Sequence, residues 1–228
     1  MKIAEIYHSI QGEGLLSGRP SVFVRASGCN LRCWFCDTPF ASWAPEGHDL
    51  SVEMMMAQIA EWDTEHIVLT GGEPMLFAEL IPLTEQLREL EKHITIETAG
   101  TLYMPVTCDL MSISPKMSNS APPQDQDAAW RRRHERTRHQ KAVIDRLVDE
   151  YEYQLKFVID TPEDVDEVRD YLEQFPQVDR GRVLLMPQAN DAHELARQQA
   201  WLEPFRQEHG WNYCPRRQIE WFGAVRGT

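Results

Sequence analysis

Apolar runs of four to seven residues alternate along the chain with longer segments in which apolar residues recur every three or four positions. The first pattern predicts buried strands, and the second predicts amphipathic helices. The main predicted strands cover 20–26, 66–70, 94–98, 109–114, 153–159 and 182–186, with shorter strands over 2–9 and 217–222. The predicted helices cover 51–62, 80–91, 130–151, 161–175 and 192–209. This regular alternation predicts an α/β fold with a parallel sheet.

Glycine or polar residues follow most of the predicted strands at their carboxyl ends. In a parallel α/β barrel this edge carries the functional site. Six main strands fall short of the usual eight, so we expect an open, partial TIM-like β/α barrel of about six parallel strands. No linker or internal repeat interrupts the sequence. We therefore expect a single domain over residues 1–228, with short N- and C-terminal extensions.

Three cysteines lie close together directly after the strand over 20–26. Cys29, Cys33 and Cys36 have the spacing C-x3-C-x2-C, which is a ligand set for a soft metal centre. A structural zinc ion, or a cluster used only for electron transfer, normally has four protein ligands, and no fourth cysteine lies nearby. Three thiolates leave one iron of a [4Fe–4S] cluster open to another ligand. The alternatives are a zinc knuckle and a set of buried core cysteines.

The overall composition narrows the class of protein. An odd total of five cysteines fits a reducing compartment, with Cys108 and Cys214 in or near the core. The net charge of -13 argues against a role in coating nucleic acid, so the basic segment 130–141 is interpreted as a solvated helix face. The sequence has no long apolar run and no signal-peptide pattern at its start, so we expect a cytoplasmic protein without a membrane span. Residues 117–127 predict a mobile loop.

Further motifs accompany the cysteines. The Gln-Gly-Glu-Gly segment at 11–14 reads as a tight turn that lets backbone approach a ligand. The Gly-Gly-Glu-Pro segment at 71–74 ends a strand and exposes backbone groups that an ammonium group can bind. Arg25 can grip a carboxylate with two hydrogen bonds, although a surface salt bridge is the alternative. Thr38 has a hydroxyl suited to magnesium, but an N-cap or turn is the simpler interpretation.

The cysteine spacing together with Gly-Gly-Glu-Pro resembles the radical S-adenosylmethionine (SAM) superfamily. There the open iron binds SAM, and reduction of the cluster yields a 5′-deoxyadenosyl radical. Further segments, including Gln-Gly-Glu-Gly, Cys-Asp-Thr, Glu-Thr-Ala-Gly, Ser-Pro-Lys and the C-terminal tail, closely resemble the 7-carboxy-7-deazaguanine synthase family, nearly end to end. The alternatives are another radical SAM enzyme, such as a glycyl-radical activase, and a non-enzymatic iron–sulfur or zinc protein.

The family resemblance implies a reaction, cofactors and partners. It implies a lyase that converts 6-carboxy-5,6,7,8-tetrahydropterin to 7-carboxy-7-deazaguanine with loss of ammonia, in queuosine biosynthesis. It also implies a homodimer that needs a [4Fe–4S] cluster, SAM, Mg²⁺ and an external electron donor such as flavodoxin. Neither a nucleic acid nor a membrane is implied as a partner.

The resemblance also carries residue roles onto matching positions. The cluster ligands would be Cys29, Cys33 and Cys36, and the Mg²⁺ ligand would be Thr38. The SAM contacts would be Asp37, Gly72, Ser114, Pro115, Lys116 and Gln188. The substrate contacts would be Ile10, Gln11, Gly12, Arg25, Thr70 and, at the terminus, Thr228. The proton-transfer base stays open, with Glu13, Glu97 and His93 as candidates.

Overall fold

The computed structural model describes residues 1–123, 128–223 and 225–228. Within this part of the chain the strands are β1 Lys2–Ile10, β2 Pro20–Ala26, β3 His48–Asp49, β4 His66–Gly71, β5 His93–Thr98, β6 Leu110–Ile113, β7 Tyr153–Ile159, β8 Val183–Pro187 and β9 Asn212–Tyr213. They form one sheet in the order β3-β1-β2-β4-β5-β6-β7-β8-β9.

The six main strands of the sheet are parallel, as the sequence predicts. Each pair from β2 to β8 is parallel, and β9 adds two more parallel residues at one edge. At the other edge β1 pairs antiparallel with β2, and β3 pairs antiparallel with β1. The sheet therefore stays open between β3 and β9, and the prediction of a partial barrel is confirmed. Parallel pairing brings the carboxyl ends of the main strands to one edge.

Helices connect the parallel strands and cover the sheet. They are α1 Pro39–Ser42, α2 Val52–Ile59, α3 Leu80–Glu89, α4 Ala128–Thr137, α5 Lys141–Glu150, α6 Pro162–Leu172, α7 Ala192–His209 and α8 Arg217–Phe222. In α3 the buried Leu80, Leu83 and Leu87 recur at helical spacing and join the hydrophobic core. Burying a side chain of this size stabilises the fold by about 1.5–3 kcal/mol. No helix in the described ranges combines the length and the hydrophobicity needed to span a bilayer.

The prediction of a strand over 217–222 is wrong, because this segment is the short helix α8. Its Ile219 is buried, and the Arg217 amide instead donates to the Gly12 carbonyl at 3.0 Å. A short run containing Ile, Trp and Phe fits a strand or a helix equally well by pattern alone.

The predicted helix over 130–151 is interrupted. Gln140 has a non-helical backbone between α4 and α5, and its side-chain amide donates to the carbonyls of Arg136 and Thr137. These bonds satisfy carbonyls that the end of α4 leaves without helical partners. The predicted mobile loop over 117–127 contains a 3₁₀ turn at Ser118–Ser120, and its residues 124–127 lie outside the described residues.

Candidate active site

A cavity of about 500 Å³ lies at the carboxyl ends of the parallel strands. It brings together residues from both ends of the chain and from most of the strand ends. Of the residues with predicted site roles, the lining includes Ile10, Gln11, Gly12, Arg25, Cys29, Cys33, Cys36, Asp37, Thr38, Thr70, Gly72, Ser114, Lys116, Gln188 and Thr228. Pro115 is buried and lies outside that lining, between Ser114 and Lys116.

The Gly-Gly-Glu-Pro segment holds the start of the cysteine loop. The Glu73 amide donates to the Gly28 carbonyl at 2.8 Å, and the Gly28 amide donates to the Ala41 carbonyl at 2.8 Å. A Cβ atom on Gly72 would lie 2.6 Å from the Ala41 carbonyl oxygen and closer still to that of Gly28. Glycine at position 72 therefore lets the two loops pack backbone against backbone.

The Glu73 carboxylate has a structural role that the sequence did not suggest. Its side chain is fully buried and accepts hydrogen bonds from the Thr98 hydroxyl at 2.8 Å, the Ala99 amide at 2.9 Å and the Met75 amide at 3.0 Å. Burial raises the pKa of Glu73, although these donors and Lys116 act in the opposite direction. The carboxylate ties the end of β4 to the end of β5 and fixes the edge that faces the cavity.

The three cysteine side chains suit a cluster better than a single metal ion. Burial raises the pKa of Cys29 to about 11 and that of Cys33 to about 12, so their thiolate forms need a strongly positive partner. In the described residues no three His, Cys, Asp or Glu side chains converge on one ion position, as a zinc site requires. In a cubane cluster each cysteine binds a different iron, so convergence is not needed. The donor set therefore fits a [4Fe–4S] cluster.

A buried ion-pair network lies beside the cysteine loop. The Lys156 ammonium of β7 lies 2.9 Å from a Glu13 carboxylate oxygen and 3.4 Å from one of Glu97. Burial alone would raise the pKa of Glu13, but Lys156 and Arg216 lower it to about 2. The Glu97 carboxylate also accepts hydrogen bonds from Gln11 at 3.2 Å and Thr70 at 2.9 Å. The network therefore keeps the Glu13 carboxylate ionised at the cavity wall.

The C-terminal part of the chain closes this network. The Arg216 guanidinium donates to Asp37 at 2.8 Å and to the Ala189 carbonyl at 2.7 Å, and its Nε lies 3.5 Å from Glu13. Gln218 of α8 donates to Glu13 at 2.8 Å. A Cβ on Gly12 would lie 2.7 Å from the Gln218 amide nitrogen, so α8 packs directly on the 11–14 turn. Asp37, a predicted SAM contact, therefore lines the cavity while it is paired with Arg216.

Sequence comparisons identify the family. Residues 23–175 match the model of the Radical SAM superfamily. The 7-carboxy-7-deazaguanine synthase of Rhodopirellula baltica is 42% identical over 99% of this chain and 88% of its own length. The synthase of Halobacterium salinarum is 39% identical over 96% of this chain and 89% of its own length. The chain belongs to the 7-carboxy-7-deazaguanine synthase family.

A solved structure with this fold agrees with the architecture. The crystal structure of QueE from Escherichia coli matches with a TM-score of 0.68, covering 93% of this chain and 92% of that chain, at 21% identity. At that identity the match establishes the fold. As a radical SAM enzyme of the 7-carboxy-7-deazaguanine synthase family, the chain uses a [4Fe–4S] cluster and SAM. The glycyl-radical activase and the non-enzymatic metalloprotein are accordingly not favoured.

Arg25 is held in place by neighbours on β1. Its guanidinium donates to Glu5 through Nε at 2.8 Å and to the Tyr7 hydroxyl through Nη2 at 2.8 Å. Glu5 also accepts from Arg226 at 2.9 Å, which attaches the C-terminal segment carrying Thr228 to the same strand. Arg25 lines the cavity, and within the described residues its Nη1 makes no hydrogen bond.

Two further predictions have definite structural outcomes. His93 is not favoured among the three candidate bases, because it begins β5 at the amino end, outside the cavity lining, and packs on His66 with ring centroids 4.6 Å apart. Thr38 precedes α1 as its N-cap residue, but its side chain makes no capping hydrogen bond, so the hydroxyl remains in the cavity lining. Glu13 and Glu97 remain candidates, since both line the cavity.

Proposed function

We propose that this protein converts 6-carboxy-5,6,7,8-tetrahydropterin to 7-carboxy-7-deazaguanine with release of ammonia, as a step of queuosine biosynthesis. The observation that carries the proposal is the 42% identity to a 7-carboxy-7-deazaguanine synthase across 99% of the chain. The cavity supports it, because a cysteine loop, a fixed arginine and buried carboxylates face the same space. Such groups suit an acidic substrate with several ring N–H donors.

The substrate contacts follow from charge and hydrogen-bonding capacity. Arg25 binds the pterin carboxylate through the free edge of its guanidinium, because arginine pairs with carboxylates through parallel hydrogen bonds. Glu97 accepts hydrogen bonds from ring N–H groups, since Lys156 lies beside it as a counter-charge. Gln11 and Thr70 fix the Glu97 carboxylate. Ile10, Gly12 and Thr228 complete the enclosure of the substrate.

The residues near the cysteine loop hold the cluster and SAM. Cys29, Cys33 and Cys36 would hold the cluster and would leave one iron open for SAM. The bound cluster and SAM supply the radical that starts the reaction. The backbone around Gly72 accepts hydrogen bonds from the SAM ammonium, and the remaining SAM contacts are Asp37, Ser114, Lys116 and Gln188, with Pro115 shaping the turn. Lys116 already donates to the Ser114 carbonyl at 2.7 Å, which orders this part of the site.

Mg²⁺ is proposed as an additional cofactor at Thr38. Mg²⁺ prefers hard oxygen ligands and keeps several waters, so one hydroxyl and a substrate carboxylate can suffice to hold it. The Thr38 hydroxyl lines the cavity without capping α1, and its contact with the Cys36 sulfur at 3.8 Å places it beside the cysteine loop. Held there, the ion would fix the substrate carboxylate in one geometry, and such positioning is a large part of catalysis.

The remaining parts of the proposal concern organisation and partners. We propose one radical SAM domain over 1–228, a cytoplasmic homodimer, and an external electron donor such as flavodoxin. Nucleic acid and membranes are not proposed as partners, in keeping with the net charge of -13.

The decisive experiment is product analysis under anaerobic conditions. Reconstituted protein is mixed with the carboxypterin, SAM, Mg²⁺ and dithionite, and products are identified by mass spectrometry. We expect 7-carboxy-7-deazaguanine and ammonia in equal amounts. Cys33→Ala serves as the control, with no product and an intact circular dichroism spectrum. Reductive cleavage of SAM by the wild type without any deazaguanine product would reject this substrate and favour another radical SAM reaction.

A further inference from the structure

An arginine-rich helix lies against the outer side of the cysteine loop. In α4 the Trp130 ring stacks under the Arg32 guanidinium at 3.8 Å from its centroid. One turn later His134 accepts a hydrogen bond from the Arg32 amide at 3.1 Å. Arg32 itself lies between Cys29 and Cys33 and donates to the Cys29 carbonyl at 2.9 Å. One face of α4 is therefore attached to the loop that carries the cluster ligands.

The attachment is rigid as well as close. His134 is fully buried, and burial lowers its pKa to about 4, so the ring is neutral. Its Nδ1 accepts from Arg32, so its Nε2 carries the hydrogen and donates to the Ser120 hydroxyl at 2.9 Å. The Ser120 carbonyl in turn accepts from the Trp34 amide. These bonds fix α4 and the cysteine loop relative to one another.

Three exposed positions of α4 carry further positive charge. Arg132, Arg133 and Arg136 form what we call the basic face, and all three are exposed. In the described part of the chain none of their guanidinium groups pairs with a carboxylate, and that of Arg133 lies 4.7 Å from the Trp130 ring centroid. The whole chain has a net charge of -13, so these unpaired arginines form a local positive region on an acidic protein.

An aromatic side chain is exposed on the cysteine loop itself. Trp34, directly after Cys33, keeps 46% of its surface exposed, although its indole N–H donates to the Asn119 carbonyl at 2.6 Å. Exposed tryptophan and arginine are the residue types most enriched where partner proteins bind. The exposed basic face and the exposed aromatic ring are thus both anchored to the cluster loop, a combination suited to an acidic protein that must come close to the cluster.

We propose that the basic face and Trp34 form the docking surface for a small acidic electron-carrier protein. This inference rests on the proposed function, which requires an external one-electron donor. In each productive encounter the carrier is oxidised by one electron and the cluster is reduced by one, with no atom transferred. The arginines attract the carrier over roughly a Debye length of 8–10 Å, so they need not touch it directly. Nucleic acid is not the partner we infer, because the proposed function requires a one-electron donor, which nucleic acid does not supply.

The test compares two charge-matched double variants. Arg132→Gln/Arg136→Gln removes two charges from the basic face while keeping a good helix former at both positions. Arg19→Gln/Arg180→Gln is the control, and it removes two exposed arginines that make no ion pair in the described residues. These arginines precede β2 and β8, so they lie at the amino-end edge of the sheet, opposite the edge that carries the cysteine loop. Both variants therefore change the net charge equally.

The main readout is binding, measured with the cluster-loaded protein and oxidised flavodoxin by titration calorimetry. At low salt we expect the basic-face variant to raise Kd about ten-fold and the control to change it less than about two-fold. The difference should disappear at roughly 0.5 M salt, where screening removes long-range attraction. Equal Kd values for the two variants, or a difference that persists at high salt, would overturn the docking surface.

A second readout separates this inference from the proposed function. With dithionite as reductant both double variants should form product at the wild-type rate, within about two-fold, because no site residue changes. With reduced flavodoxin only the basic-face variant should show a raised KM for the carrier. The binding measurement tests the docking surface and does not depend on the identity of the substrate. Turnover with dithionite tests the proposed reaction and does not depend on where the carrier binds.

Discussion

The Lys156 ammonium lies 2.9 Å from a carboxylate oxygen of Glu13, 143 positions away in the sequence, and both side chains are largely buried. This pair joins β7 to the 11–14 turn, and a second carboxylate, Glu97, lies 3.4 Å from the same ammonium. Burying charges in this way is costly unless each keeps its partner, so the network is sensitive to the loss of one member. It fixes the wall of the cavity on the side where we place the substrate.

Replacing Lys156 by methionine should destabilise the protein strongly. Methionine has a similar volume but leaves Glu13 and Glu97 without their shared counter-charge, which typically costs about 3–5 kcal/mol. The free energy of unfolding of the apoprotein in urea measures this. Lys141→Met is the matched control, because Lys141 is half exposed and pairs with Asp145 at 2.6 Å on the surface, where such pairs contribute at most about 1 kcal/mol. Equal losses in the two variants would contradict a special role for Lys156.

The same pair predicts a dependence of stability on pH. Lys156 and Arg216 lower the pKa of Glu13 to about 2 from an ordinary value of 4.5, despite the opposing effect of burial. A carboxyl with a lowered pKa stabilises the fold fully above its unfolded pKa, and this contribution is lost as the pH falls through the folded pKa. Stability should therefore decline between about pH 5 and pH 2.

Glu13→Gln should remove this acid-sensitive contribution. The difference in unfolding free energy between the wild-type and variant apoproteins should be largest above pH 5 and shrink toward pH 2, by a few kcal/mol. Subtracting the two unfolding free energies removes the contributions of all carboxyl groups that titrate identically in both proteins. A difference that stays constant over this pH range would show that Glu13 is not held ionised by its neighbours.

Thr38→Ala should weaken the effect of magnesium far more than the loading of the cluster. The variant loses a hydroxyl that lines the cavity and caps no helix, so the fold should be unaffected. We expect Mg²⁺ stimulation of product formation to fall by about ten-fold or more, with iron content unchanged within about two-fold. Thr38→Ser keeps the hydroxyl and should retain the stimulation. Parallel loss of iron and of Mg²⁺ stimulation in Thr38→Ala would contradict a specific role at Mg²⁺.

The sequence predicted the framework of the site because local patterns determine it. Strand ends are marked by glycine and polar residues, and parallel pairing then brings segments such as 25–38 and 71–74 to one edge. Lys156 carried a signal that went unused, since a lysine inside the mostly apolar strand β7 needs a buried partner. The identity of that partner did not follow, because Glu13 and Lys156 meet only through the tertiary fold.

The predictions that the structure does not favour also have physical reasons. His93 directly precedes the predicted strand over 94–98, which places it at the amino end, so the sequence itself argued against a role at the opposite edge. The segment 217–222 became a helix because its local pattern does not distinguish the two states, and packing of α8 on Gly12 decided the outcome. Arg216 and Gln218 carried no local signal for their contacts with Glu13.

Gly72→Ala should impair assembly of the cluster site. The added Cβ would meet the Ala41 carbonyl oxygen at 2.6 Å and the Gly28 carbonyl more closely, and backbone atoms cannot move aside as a flexible side chain can. We expect the cysteine loop to shift, with iron content after reconstitution below about half that of the wild type and a stability loss of about 1–3 kcal/mol. Gly181→Ala is the control, since its Cβ would meet only the Asp179 side chain, at 3.3 Å. Full iron loading of Gly72→Ala would show that the cysteine loop does not depend on this close approach of the two backbones.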